Sequence, residues 1–532
     1  MQTTKALLSS RPNVLYRNML SVDKFVKIND YSTHCFFAKL LTVGRVCPCE
    51  VSSITLLDAK RMKTTIILVG LSLIVGCTSL TSSKQDDGYA LYTRACEHHD
   101  TLDLRNSPAE GELLEFLDKG GIPGTHVIDL IKQEQNAFTL IQDAHSRQHW
   151  KLPDITTFSA DTRLPYISSW LGINRAATAQ AILLYRDGNP RDTLSFLIPF
   201  NTTGLRVSKA GTLIHILIHV ACRSMQHPVL ASSIDDLPEA SLAEELSRAK
   251  EQYELIPTAC ESIAGDQHMA INTAKGLFSD LREQLKPNQR KMIQDLKTAG
   301  VEEKTLAEIE KEEVLSVADW ENQVLSDLGR LQSFYTNALA TRPSSELSEV
   351  DDEIEAEIEK IGSDVGYKTA MAAWNLYMTN QASGSFSMPD AKRLHSQVGK
   401  AISHQFLSMT LPAVGAFGIR YREFIASERL ILIRLAIRVY AYRHGERPST
   451  LQQLVDDQLL DGEMIMDPLS GKHFLTRNNG TFEPYSVGRD LDDDNGAPWD
   501  LKTKSGDTIM VALKEKWSVQ QAKPSVCGIP RR

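Results

Sequence analysis

The sequence lacks the motifs that announce common chemistry. Its 532 residues hold no G-x-x-x-x-G-K-[ST] phosphate loop, no G-x-G-x-x-G turn and no G-x-S-x-G elbow. The usual signals of a P-loop nucleotidase, a dinucleotide enzyme and an α/β-hydrolase are therefore missing. There is no Cys-x-x-Cys pair and no His-Glu-x-x-His. Aromatic residues make up only 7%, the formal net charge is −9, and no basic patch with interleaved aromatics occurs. Those three facts exclude a nucleic-acid-binding role, because a polyanion is held by clustered cations. What is present is ordinary globular material, 42% hydrophobic and 23% charged, with 30 Gly and 21 Pro. A chain of this length is several domains' worth and can bury a sizeable core. The sequence itself names no reaction.

The longest apolar run, Ile66 to Val75, is too short to make a good bilayer-spanning helix. It follows Met62-Lys63 and ends in Gly76-Cys77, with a Ser/Thr-rich stretch from Thr78 to Ser83. A cationic start, a short apolar segment and a small residue before the cut make a secretory signal. The tetrad Ile74-Val75-Gly76-Cys77 resembles a bacterial lipobox, which implies acylation of the Cys77 thiol. The chain would then sit in the bacterial cell envelope on the periplasmic side, held to the membrane through lipid on Cys77. Thr78 rather than Asp after the cysteine implies sorting to the outer membrane. Residues 1–61 are read as an over-extended start, or else as a cytoplasmic extension before a signal anchor. From Cys77 onward 48 Lys/Arg face 63 Asp/Glu, a strongly acidic surface that leaves membrane attachment to the lipid. Four further cysteines remain, Cys96, Cys222, Cys260 and Cys527. In an oxidising compartment they are either paired, in one of three ways, or buried as thiols.

The fold class expected is mainly α, a multi-helix body with a small α+β C-terminal module of helix, hairpin and acidic loop. In the body, Val317, Trp320, Val324, Leu328, Leu331 and Phe334 recur at helical steps, as do Leu347, Val350, Ile354, Ile358 and Ile361. Acidic residues from Glu349 to Glu359 fall between the latter and read as a solvated face. Breaks are expected near Gly120–Gly124, Gly188–Pro190, Pro228, Pro287 and Pro343. Helices are expected at Tyr166–Tyr185, from near Asp192, and at Thr212–Ala221. That succession resembles large helical envelope proteins of bacteria, a likeness of pattern that carries no activity.

A helix from about Tyr421 to Arg443 runs into His444-Gly445-Glu446-Arg447-Pro448. Gly445 fits a left-handed helix end and Pro448 prevents continuation. Ser449 with Gln452 reads as a capping box. Asp467-Pro468-Leu469-Ser470-Gly471 is turn chemistry. Strands follow at Lys472–Thr476 and Thr481–Val487 around an Asn478-Asn479-Gly480 turn. Then comes an acidic loop, Asp490-Leu491-Asp492-Asp493-Asp494-Asn495-Gly496. This order resembles the soluble end of type II secretion major pseudopilins. The matching residues are Tyr442 to Pro448, Asp467-Pro468, and Ser486-Val487-Gly488-Arg489-Asp490. The resemblance implies a calcium loop with Asp490 as the most secure carboxylate, joined by Asp492, Asp493 and Asp494. Glu428, Arg429, Arg434 and Arg438 keep the preceding helix from spanning a bilayer, so the chain is not a pilus subunit. The expected organisation is 1–61 leader, 62–76 signal peptide, 77–88 tether, 89–415 helical body, 416–500 pseudopilin-like module and 501–532 tail.

Three groups of residues could carry chemistry. Four Asp in five positions repel one another unless a cation sits between them, and calcium takes such oxygen ligands; otherwise Asp490–Asp494 is an exposed acidic turn. His215 and His219 lie one helical turn apart, with Cys222 near the same face, which is zinc-ligand spacing. Their Ile, Leu and Val neighbours favour core histidines instead. His145 and His149 repeat the spacing on a polar stretch, and Glu244-Glu245 reads as a solvated pair. Two functions follow. One is a noncatalytic envelope protein that contacts other envelope proteins and whose tail is stabilised by Ca²⁺. The other is a zinc-dependent periplasmic hydrolase using His215 and His219.

Overall fold

The computed structural model describes residues 87–513, apart from 105–106, 160–161, 163, 165, 210, 299–302, 363–387, 412–413, 479–481, 500–502, 504 and 511. The signal segment, Cys77, residues 479–480 of the hairpin turn and Cys527 lie outside these residues. The fold class is as expected: the described residues form fourteen α-helices and one two-stranded sheet.

Eight helices make the first half of the body: α1 (Gly88–Asp100), α2 (Pro108–Lys119), α3 (Thr125–Gln133), α4 (Gln135–Ser146), α5 (Tyr166–Arg186), α6 (Pro190–Ser208), α7 (Leu213–Asp235) and α8 (Leu242–Tyr253). Their starts follow local chemistry. Asp87 caps α1 by accepting from the Ala90 amide at 3.0 Å, and Ser107 caps α2 from the Glu110 amide at 3.1 Å, with Pro108 in the first turn. Gly188 adopts φ 79° between α5 and α6, which an L side chain resists.

Longer helices follow, α9 (Ala259–Thr298), α10 (Glu303–Thr341), α11 (Ser344–Gly362) and α12 (Met388–Thr410). The two apolar stripes read from the sequence do face inward here: Val317, Trp320, Val324, Leu328 and Leu331 are buried, as are Leu347, Val350, Ile354 and Ile358. Two expected breaks are absent. Pro228 lies inside α7 and Pro287 inside α9. A proline removes one amide and crowds the preceding turn, yet α7, with Gln226, Val229 and Leu230 buried around Pro228, tolerates that locally.

Helix α13 (Val414–His444) joins the two halves. From Ala426 to Val439 nearly every residue is buried, as expected of a helix surrounded by other elements. Its Phe417 and Phe424 pack into one core with α9–α12, whereas Ala426 to Tyr440 pack into another with α1–α8. Gly445 ends it at φ 74°.

The tail holds the short α14 (Gln452–Asp456) and the antiparallel pair β1 (Leu475–Asn478) and β2 (Phe482–Tyr485). The capping residue differs from expectation. Gln453, not Gln452, accepts from the Ser449 and Thr450 amides, because the helix proper begins one turn later than Ser449. The tail shares the first core rather than owning one: Leu454, Leu459, Ile465, Phe474, Phe482 and Met510 pack with residues of α5–α8 and α13. Polar bolts add to this. Arg429 donates to the Met466 carbonyl at 2.8 Å and to Glu463, Arg489 pairs with Glu423 at 2.5 Å, and the Leu513 amide donates to Ser232 Oγ.

Candidate functional site

The acidic loop follows β2 and is drawn back onto the sheet by an antiparallel bridge between Ser486 and Thr508. Its tight path uses left-handed backbone at Leu491 (φ 65°), Asn495 (φ 59°) and Gly496 (φ 75°). Asp492 and Asp493 are exposed, whereas Asp490 and Asp494 are half-buried. Asp490 accepts from the Gly506 amide at 3.0 Å, and Asp493 from the Asn495 amide at 2.9 Å and the Tyr485 hydroxyl at 3.0 Å. That phenol is pushed up to about 12 by burial and by the Asp493 carboxylate.

A fifth carboxylate belongs to the same place. Asp507 is 1% exposed. Its Oδ2 accepts from the Gly496 amide at 2.6 Å, closing the acidic loop, while its Oδ1 is buried with no partner. Asp494 Oδ2 is likewise buried and unpartnered. Burial raises the Asp507 carboxyl, backbone amides lower it, and the Asp493 and Asp494 charges raise it again. A buried carboxylate oxygen without a partner is costly unless a proton or a cation meets it. Among the described residues no three His, Cys, Asp or Glu side chains gather closely enough to hold a metal alone. A cation here would draw its other ligands from backbone carbonyls and water, which suits Ca²⁺. Sequence reasoning missed Asp507 because it lies thirteen positions beyond Asp494 and nothing in the intervening stretch marks the return.

The histidine pair sits elsewhere, on α7, and both rings are buried. His215 Nε2 is 2.8 Å from the Tyr166 hydroxyl, and its Nδ1 meets Thr212 Oγ1, so both ring nitrogens are engaged. Burial lowers its pKa to about 4. His219 lies under α6, where the absent side chain of Gly204 makes its room: a Cβ there would stand 2.3 Å from His219 Nδ1. Burial lowers it to about 3, against the opposing pull of Glu428. Cys222 is a buried thiol raised by desolvation. Cys96, Cys222 and Cys260 are all free. His145 is half-buried on α4 and His149 exposed after it. Glu244 and Glu245 are not the solvated pair expected. Glu245 is buried and paired with Arg248 at 3.0 Å, because its helix turns that face toward α6.

A buried ion pair forms a joint between α7 and α13. Arg223 donates two hydrogen bonds to Glu428, at 2.8 and 3.0 Å, and His227 Nε2 reaches the same carboxylate at 3.2 Å. Gln226 extends this to Asn174 on α5. Burial pushes the Glu428 carboxyl up, but Arg223 and His227 outweigh it and bring it to about 2. The adjacent cavity, lined by Arg223, Glu245, Arg248 and several Leu and Ile, measures about 40 Å³ and has room for only a water or two. A larger open groove of about 620 Å³ runs between α9 and α10. Its polar lining is Gln267, Gln332, Ser333, Thr336 and Asn337, with neither a base nor a carboxylate to activate a hydroxyl.

Comparison with protein-family models, with curated proteins and with solved structures finds no match. No helix of the described residues is long and apolar enough to cross a membrane.

Proposed function

We propose that the protein is a noncatalytic, lipid-anchored component of the bacterial envelope. Its helical body serves contacts with other envelope proteins, and its pseudopilin-like tail is pinned by one Ca²⁺. Lipid on Cys77 holds it on the periplasmic side, at the outer membrane. The observation that carries the calcium reading is the pair of buried, unpartnered carboxylate oxygens on Asp494 and Asp507. Asp490, Asp492 and Asp493 supply further carboxylates around the same turn, and a divalent cation offsets their mutual repulsion.

The hydrolase reading loses ground at its first requirement. A zinc ligand needs a free ring nitrogen, and both of those on His215 already have partners. Mass spectrometry and metal analysis of the native protein test the proposal together. An acylated N-terminal Cys77 with stoichiometric calcium is expected. Stoichiometric zinc that disappears in His215→Ala would overturn the noncatalytic reading, and a mature chain retaining residues 1–61 would overturn the anchor.

A further inference from the structure

Helix α10 carries a glycine that its own packing does not require. Gly329 stands in the interior of this 39-residue helix, where glycine costs stability because its backbone has the most freedom to lose. A Cβ built there would meet nothing within 4 Å, so no neighbour forbids a side chain. What the missing side chain leaves open is the groove between α9 and α10, which Gly329 lines. At about 620 Å³ the groove falls within the size range of small-molecule sites.

Its polar walls share one chemistry. Gln267, Gln332, Ser333, Thr336 and Asn337 supply amides and hydroxyls, and among the described residues the lining contains no charged side chain. Gln332 is only 7% exposed, yet it lines the groove. Its amide nitrogen reaches the Gln267 carbonyl at no better than 3.4 Å, and its amide oxygen has no partner among the described residues. A carbonyl oxygen on a side chain buried this far normally has a donor. Thr336 accepts from Gln267 Nε2 at 3.0 Å, and its own hydroxyl proton has no acceptor among the described residues. The exposed Asn337 amide makes no hydrogen bond among them either.

This chemistry selects a class of ligand. Amides and hydroxyls both donate and accept. An ionic ligand would find no counter-charge in the lining. Ala340 is its only apolar side chain, so there is no pocket for the branched or aromatic residues of a peptide. A ligand that is uncharged, dense in groups that donate and accept, and without side chains to bury is a chain of neutral sugars. We propose that the groove between α9 and α10 binds an uncharged oligosaccharide through Gln332, Thr336 and Asn337, over the bare backbone of Gly329. With no base or carboxylate in the lining it holds the sugar rather than cleaving it. The proposal rests neither on lipid at Cys77 nor on Ca²⁺ in the tail.

Calorimetric titration of the full-length protein in a polyoxyethylene detergent, which carries no sugar of its own, tests this. Cellotriose and chitotriose are the neutral probes, trigalacturonate the charged one and penta-alanine the peptide. Saturable binding of a neutral trisaccharide, lost in Gly329→Leu and weakened about tenfold in Asn337→Ala, supports the proposal. Gly329→Leu fills the groove with a better helix former, so it should melt no lower than the wild type, which separates a blocked groove from a misfolded chain. If it melts lower, the exposed substitution Asn337→Ala decides. Binding of neither neutral probe overturns the proposal, as does neutral-sugar binding that both variants leave unchanged. Trigalacturonate bound as tightly as the neutral sugars overturns the uncharged class. Penta-alanine bound in place of sugar gives the groove to peptide and overturns the proposal.

Discussion

Helices α9–α12 and helices α5–α7 both bury aliphatic stripes, but they treat polar groups differently. Around α10 the core is Val324, Leu328, Leu331 and Tyr335, with Trp320 and Phe278 against them. Around α7 it also holds Asn174, Thr178, Gln226, Arg223 and Glu428, all buried. The α9–α12 region has a buried hydrogen bond of its own, from Ser403 Oγ to Asp327 at 2.8 Å, but among the described residues it has no ion pair with both members buried, and the rest of its packing is non-directional. The α5–α7 region contains a bidentate ion pair whose members have one satisfactory arrangement. Such a pair adds little net stability, and is costly to break. We read it as the device that sets how α13, and with it the tail, sits on the body.

That contrast can be broken first at Glu428. Glu428→Leu leaves Arg223 buried and unpaired and should cost about 3–5 kcal/mol in denaturant unfolding. Adding Arg223→Met should recover much of the loss. Failure of the double variant to recover any would show that the joint contributes plain stability rather than alignment. The sign with pH agrees. Glu428 is depressed to about 2, so its contribution is present above about pH 4.5 and is lost as pH falls toward 2.

The second core should respond in the ordinary way. Leu328→Ala should cost about 3 kcal/mol, from lost burial and the cavity left behind, with little dependence on pH between 4 and 8. Sensitivity to pH would indicate an ionic joint here as well.

A smaller effect lies at the seam between the regions. Asp266 on α9 accepts from the Leu213 amide at the start of α7, and burial raises it to about 7. A raised carboxyl favours the folded state while protonated and loses that advantage as pH rises. Asp266 should therefore cost about 2 kcal/mol of stability between pH 5 and 7. Asp266→Asn should flatten the pH profile over that window; an unchanged slope would remove Asp266 from the account. Smallest is Gly204→Ala. The added methyl meets His219 and should destabilise by about 1–2 kcal/mol, with His219→Ala restoring the loss in part.

What could be read in advance follows the same division. The stripes from Val317 to Phe334 and from Leu347 to Ile361 were legible because a solvated face and an apolar face alternate along each helix. Helix α13 was legible only as a helix; its charges at Glu428 and Arg429 argued against a membrane span but gave no hint of Arg223 or Met466 as partners. Proline was misread at Pro228 and Pro287: around Pro228 the packing of Gln226, Val229 and Leu230 outweighs the local preference, and α9 continues through Pro287. In the candidate site, the cluster Asp490–Asp494 was visible as composition. Asp507 was not, since its place depends on the chain doubling back through the Ser486–Thr508 bridge.

The central proposal is that one Ca²⁺ holds the acidic loop closed onto Asp507, and thermal melting of the full-length protein tests it most directly. Calcium at a hundredfold excess over its dissociation constant should add about 2.7 kcal/mol of stability relative to chelator, and magnesium much less. Asp507→Asn keeps an acceptor for the Gly496 amide while removing the buried charge. It should melt at least as high as the wild type in chelator and show no calcium shift. A wild-type protein that calcium does not stabilise, or an Asp507→Asn variant stabilised as fully as the wild type, would contradict the account.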